Sequence, residues 1–270
     1  MKLFAAISLV IVLLTATAPA QQTPASALTR TQIKEAERLL SEKGFWTGPI
    51  DGALDAGSQS ALIAFQKWHG REVTGELTSE ELEAIRTSTS AHARELGYEH
   101  VEVDLDRQVL MLVNEDGSVR TLPVSTGNNK TFTDEGQEST AYTPRGRFLV
   151  YYKENGWKSG SLGRTYYANF ISGGVAIHGS RSVPNEPASH GCIRVPMFAA
   201  REVSKLLRLG TIVLVYDKVS FVSAKDWVKN PKLKEAALAS LGAEVDETVE
   251  TPATKSNSLG RKPHPRMVRS

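Results

Sequence analysis

Ile177-His178-Gly179-Ser180-Arg181-Ser182-Val183-Pro184-Asn185-Glu186-Pro187-Ala188-Ser189-His190-Gly191-Cys192-Ile193-Arg194-Val195 decides how the chain is read. Apolar residues at either end mark two strands, and the segment between them is a Pro-rich loop. The stretch holds the single cysteine and two of the six histidines. Small residues flank each reactive candidate, which lets backbone amides approach a ligand closely. A thiol and an imidazole brought together this way form a candidate nucleophile and base. His190 lies two residues before Cys192, on the same face if the chain is extended. His178 ends the preceding strand and could meet Cys192 across the loop, and the pattern alone does not choose between the two. The amides of His190, Gly191 and Cys192 are candidate oxyanion donors. Arg194 is spaced to hold a substrate carboxylate. The neighbouring cations predict a thiol tilted towards thiolate.

Outward from this loop, residues 98–217 have the short alternating runs of a β domain. His100–Leu105 alternates as a half-buried strand does. Val109–Val113 and Val119–Val124 flank the turn Asn114-Glu115-Asp116-Gly117, a hairpin signal. A polar loop follows, then the turn and strand from Thr143 to Tyr152. Tyr166–Phe170, Val175–His178 and Thr211–Tyr216 are further strands, with a helix over Pro196–Leu209. The expected fold is α+β: a small three-helix N-terminal bundle, then a mainly β domain, sandwich or open barrel. The bundle occupies 31–86. Its helices start near Thr29 or Thr31, near Ser58 and near Thr78, with Leu39, Leu40, Ala61, Phe65, Leu82 and Ile85 inward. Residues 87–97 read as a connector, helical in its second half.

The chain has 270 residues and a net charge of only +2, which gives no reason to expect a nucleic-acid partner. Lys2, the apolar run Leu3–Leu14 and Ala18-Pro19-Ala20 have the pattern of a signal peptide over 1–20, followed by a linker over 21–30. The expectation is export to the periplasm or the cell wall and extracellular space, with no membrane span after cleavage. A lone cysteine in an exported chain has no partner for an internal disulfide. Residues 218–241 read as a helical extension, and 242–270 as a disordered tail, acidic first and basic at its end.

Two resemblances attach to these residues. Leu39-Leu40, Gly44-Phe45, Gly48, Ile50-Asp51-Gly52, Ser58, Ala61, Phe65-Gln66, Gly75 and Leu77-Thr78 resemble the peptidoglycan-binding domain of bacterial wall enzymes. His178-Gly179-Ser180 with Ser189-His190-Gly191-Cys192-Ile193-Arg194 resembles the signature of L,D-transpeptidases with the YkuD-type catalytic domain. Val124-Ser125-Thr126-Gly127 and Thr143-Pro144-Arg145-Gly146-Arg147-Phe148 match that domain's upstream strands. The resemblance implies Cys192 as nucleophile, His178 as base, the Gly179 carbonyl as its orienter, and a pocket shaped by Ser189, His190, Gly191 and Arg194. It implies a thioester formed with release of D-Ala from a tetrapeptide stem, an amine of a second stem as acceptor, and no metal or cofactor. Pro196-Met197 stand where many members carry Asn. Tyr151, Tyr152, Trp157, Tyr166 and Tyr167 are candidate groove aromatics. The competing readings are L,D-carboxypeptidase chemistry at the same site, a non-catalytic wall-binding protein, and a zinc site on His178, His190 and Cys192.

Overall fold

The computed structural model describes residues 28–218. The leader, most of the linker, the helical extension and the tail expected from sequence lie outside them. The described chain forms three layers: helices, a five-stranded sheet, and a second sheet with one more helix.

The helical layer comprises α1 (Arg30–Glu42), α2 (Ala56–Trp68) and α3 (Ser79–Thr87). Each start is capped by a side-chain oxygen: Thr29 in a capping box with Gln32, Asp55 and Thr78. The Asp51-Gly52 turn is locked from α1, whose buried Glu37 accepts from Gly52 N at 2.8 Å and from Ser58 Oγ at 2.7 Å. Gly52 has φ +82°, and a Cβ there would lie 2.7 Å from the Arg30 carbonyl, so glycine is required.

The first sheet has the order β3 (Val119–Pro123), β2 (Val109–Val113), β1 (His100–Asp104), β12 (Ile212–Tyr216), β6 (Gly146–Leu149). The second runs β11 (Ile193–Pro196), β10 (Val175–Ser180), β9 (Gly163–Ser172), β7 (Tyr152–Lys153), with β8 (Trp157–Gly160) also on β9. Val101, Val103, Leu110, Leu112, Val213 and Val215 point inward to Ile171, Ile177, Ile193 and Val195 and to α4 (Met197–Leu206). The alternate residues Met111, Val113, Leu214 and Tyr216 face the other way, onto Leu40, Phe45, Phe65 and Ile85 of the helical layer. The sandwich expectation holds, and the helical bundle shares a core with it.

Three local expectations are corrected. The 87–97 connector is not helical: Ala91, Ala93 and Glu95 alternate with exposed residues as the chain runs extended across the sheet. All five residues of β1 are buried rather than every second one, because the helices and connector cover the face that the alternation assigned to solvent. The polar loop contains a hairpin, β4 (Thr131–Asp134) and β5 (Gln137–Thr140), turned by Glu135 and Gly136 at φ +49° and +82°.

The polar residue that β1 sends to its covered face is Glu102, fully buried. Its carboxylate accepts from the amides of Arg94 and Glu95 at 2.9 Å and from Tyr216 Oη at 2.8 Å, and meets His100 Nε2 at 3.1 Å. Burial pushes its pKa up, but the bonds from His100, Arg94, Glu95 and Tyr216 outweigh this and hold it below the usual value. Replacing Glu102 with Ala removes the acceptor that these bonds share and should cost on the order of 3 kcal/mol of stability, read as a lowered unfolding midpoint. Because the folded value is depressed, the carboxylate's contribution is present above the ordinary Glu value of about 4.3 and is lost as pH falls through the folded value. The gap between the native protein and Glu102→Gln should therefore narrow in acid denaturation scans below about pH 4.

Candidate active site

β10 and β11 run parallel, with Ile177 opposite Ile193 and His178 opposite Arg194. Ile177 and Ile193 are both fully buried in the core. Side chains alternate along a strand, so the register sends His178 and Arg194 to the opposite face together, and Cys192 immediately precedes β11. The two histidines differ in setting. His178 is buried on the strand, whereas His190 is exposed and lies against Phe132 of β4, ring centroids 4.7 Å apart.

His178 Nδ1 lies 3.0 Å from the Gly179 carbonyl. With Nδ1 donating there, Nε2 carries the free lone pair of a base. Gly179 is fixed from behind, since a Cβ would lie 2.4 Å from the Ala200 Cβ of α4. The half-buried Cys192 places its thiol 3.7 Å from the Gly174 carbonyl.

A lattice of hydroxyls holds the turn that carries Cys192. Buried Ser189 donates its Oγ to the Cys192 carbonyl at 2.5 Å and accepts from Gly191 N at 3.0 Å. Gly191 N–H is thus committed within the turn, which leaves the amides of His190 and Cys192 as the candidate oxyanion donors of the three. Gly191 has φ +139°, and a Cβ would stand 2.8 Å from the Tyr142 carbonyl. Thr143 Oγ1 donates to the Gly191 carbonyl at 2.7 Å and accepts from Gly127 N at 2.8 Å. Ser125 exchanges backbone bonds with Arg194, and Ser189 N donates to the Thr126 carbonyl at 2.9 Å. Ser125, Thr126 and Thr143 were visible in sequence only as strand residues; what marks them is that hydroxyls stand where the chain passes the loop.

The electrostatics of the fold oppose the pull of the neighbouring cations on the thiol. Burial raises the Cys192 thiol, and the Ala176 amide and Arg194 charge only partly offset it. Burial lowers His178, the Gly179 carbonyl opposes this, and Arg194 lowers it further. Both shifts favour the uncharged forms of the thiol and the imidazole. Of the candidate groove aromatics, Trp157 and Tyr166 lie against each other, tilted by 39° with centroids 4.9 Å apart, and Tyr166 packs against the core. Tyr151 donates to the Gly173 carbonyl, and Tyr152 lies against Phe170. Tyr167, at φ +51°, packs edge-on against Tyr166. Among the described residues no three His, Cys, Asp or Glu side chains gather to hold a metal ion. No described helix is long and apolar enough to cross a membrane.

Residues 98–215 match the family model of the L,D-transpeptidase catalytic domain (YkuD), and residues 29–85 that of a peptidoglycan binding domain. A solved L,D-transpeptidase fragment from Xylanimonas cellulosilytica is 34% identical, with a TM-score of 0.65 over 74% of this chain and all of that one. The chain belongs to the L,D-transpeptidase family. Two further solved members are more distant. The Stackebrandtia nassauensis enzyme is 22% identical with a TM-score of 0.38, covering 68% of this chain and 89% of that one. The Mycobacterium smegmatis enzyme is 23% identical with a TM-score of 0.36, covering 44% of this chain and 58% of that one. A search of curated proteins returns no match. Membership makes the protein a peptidoglycan-modifying enzyme with a peptidoglycan-binding region.

Two predictions follow from the geometry. The Ser189→Ala variant loses the bridge between Gly191 N and the Cys192 carbonyl. Losing one to two hydrogen bonds at about 1 kcal/mol each should slow Cys192 acylation roughly tenfold, measured by stopped-flow acylation. In the native protein, the rate of Cys192 alkylation by iodoacetamide should rise with pH through an inflection above the ordinary thiol value of about 8.5. An inflection below neutrality would mean a preformed thiolate.

Proposed function

We propose that this chain is an exported, cysteine-dependent L,D-transpeptidase that cross-links or remodels peptidoglycan through a thioester on Cys192. The observation that supports it most is the β10–β11 register, which sets His178 opposite Arg194 with Cys192 immediately before β11, and His178 Nδ1 tied to the Gly179 carbonyl. Export is supported by the leader-like residues 1–20.

The donor is a tetrapeptide stem ending in D-Ala. As Sγ attacks the carbonyl before that D-Ala, its proton passes to His178 Nε2. Charge gathers on the carbonyl oxygen, where the amides of His190 and Cys192 are the donors at hand, and the Ser189 bridge keeps the turn from rearranging. The imidazolium then protonates the leaving D-Ala amine, the C–N bond breaks, and a thioester remains. An amine from a second stem attacks the thioester, His178 takes up its proton, and the thiolate leaves and is reprotonated. One amide replaces another, so no outside energy source is required. Arg194, half-buried opposite His178, is suited to hold a stem carboxylate. Water in place of the amine would make the same site an L,D-carboxypeptidase.

Incubation with disaccharide-tetrapeptide and analysis of the muropeptides tests the proposal. A dimer lacking one D-Ala is expected, and a tripeptide monomer alone would make the enzyme a carboxypeptidase. Cys192→Ala should abolish the product. His178→Ala should reduce the rate by about 10²–10⁴-fold, the range for loss of a general base, and His190→Ala by less. A near-native rate in His178→Ala would remove His178 from its role.

A further inference from the structure

We infer that the helical region is a positioning element of the catalytic loop, with Lys67 on α2 as its positioning residue. This goes beyond wall binding and rests on Cys192 being the nucleophile.

Lys67 is buried near the end of α2, at 7% exposure. Its ammonium does not turn to solvent but reaches into the β domain. There Nζ donates to the carbonyls of Val124 at 3.1 Å and Gln108 at 3.4 Å. Burying an ammonium is unfavourable unless it is well partnered, so a wall-binding appendage would gain by keeping it in water.

From Gln108 a continuous route leads to the backbone of Cys192. Gln108 is held at φ +53°, an uncommon conformation for a residue other than glycine. Its side-chain amide donates to Thr126 Oγ1 at 2.8 Å, and its Oε1 accepts from Thr126 N at 3.0 Å. The Thr126 carbonyl accepts from Ser189 N, and Ser189 Oγ bonds the Cys192 carbonyl. Every link is a hydrogen bond of 3.4 Å or less.

A second tie runs in parallel. Asn185, on the exposed start of the catalytic loop, donates Nδ2 to the Val73 carbonyl just beyond α2 at 3.0 Å. Beside it the Glu186 carboxylate acts on Lys67 as the nearby opposite charge, and the Glu186 carbonyl is fixed by Ser125 Oγ at 2.8 Å. The loop is therefore held at 185 by the helical region and at 189 by a hydroxyl lattice that Lys67 buttresses.

The test compares full-length native protein with Lys67→Met, Gln108→Ala and the double variant. Lys67→Met keeps the volume of the side chain and removes only the ammonium. Transpeptidation of disaccharide-tetrapeptide should show kcat lowered about tenfold with KM unchanged, the signature of misplaced reacting groups rather than lost binding. The double variant should be no slower than the slower single one, since both interrupt one route. Iodoacetamide alkylation of Cys192 should slow in step, a readout that needs no turnover. Slower alkylation in a protein that does not cross-link would leave the positioning role standing and remove the function proposed above. Should Lys67→Met fail to fold, Asn185→Ala cuts the exposed tie alone and should lower kcat several-fold. Native kcat and alkylation in the folded variants, or effects that multiply in the double variant, would overturn the inference.

Discussion

The pairing of β10 with β11 is the constraint on which the rest depends. Ile177 and Ile193 sit opposite each other and are fully buried. Because side chains alternate with a period of two, a slip of β11 by one residue would turn Ile193 out of the core and Arg194 into it, away from the face of His178. The hydrophobic core therefore fixes how the strand that Cys192 precedes is aligned with the strand that carries His178. Gly179 extends the same control to α4, because its missing Cβ lets Ala200 close on the strand that carries His178.

Around that register the turn is held by hydroxyls. Ser189, Thr143 and Ser125 satisfy the backbone of a turn that has no ladder of its own, and each bonds at two points. Burial pushes the Cys192 thiol up and the His178 imidazole down, each towards its uncharged form. The helical layer completes the arrangement. It covers the outer face of the first sheet with Phe45 and Phe65, reaches the β domain through Lys67, and meets the loop where Val73 accepts from Asn185.

Much of this was legible in the sequence. The helices showed through their apolar spacing and the Asp51-Gly52 turn, and the paired strands flanking the reactive loop showed through Ile177 and Ile193. What stayed hidden depends on partners distant in sequence. The alternation of His100–Leu105 implied a wet face, and only the arrival of the connector and helices makes Glu102 a buried hub. Lys67 reads as a charge near a helix end until carbonyls 41 and 57 residues away are seen to receive it. The β4–β5 hairpin is exposed along most of its length, so it leaves almost no hydrophobic period to read. Of the influences on the thiol, the local cations are visible in sequence, whereas the opposing burial is a property of the fold.

The measurement that tests the central claim most directly is intact-protein mass spectrometry during reaction with a tetrapeptide donor, followed by peptide mapping of the adduct. A transient gain equal to the stem minus D-Ala, located on the peptide containing Cys192 and absent from Cys192→Ala, is the predicted result. Turnover without any acyl adduct, or an adduct that persists when Cys192 is replaced, would contradict it.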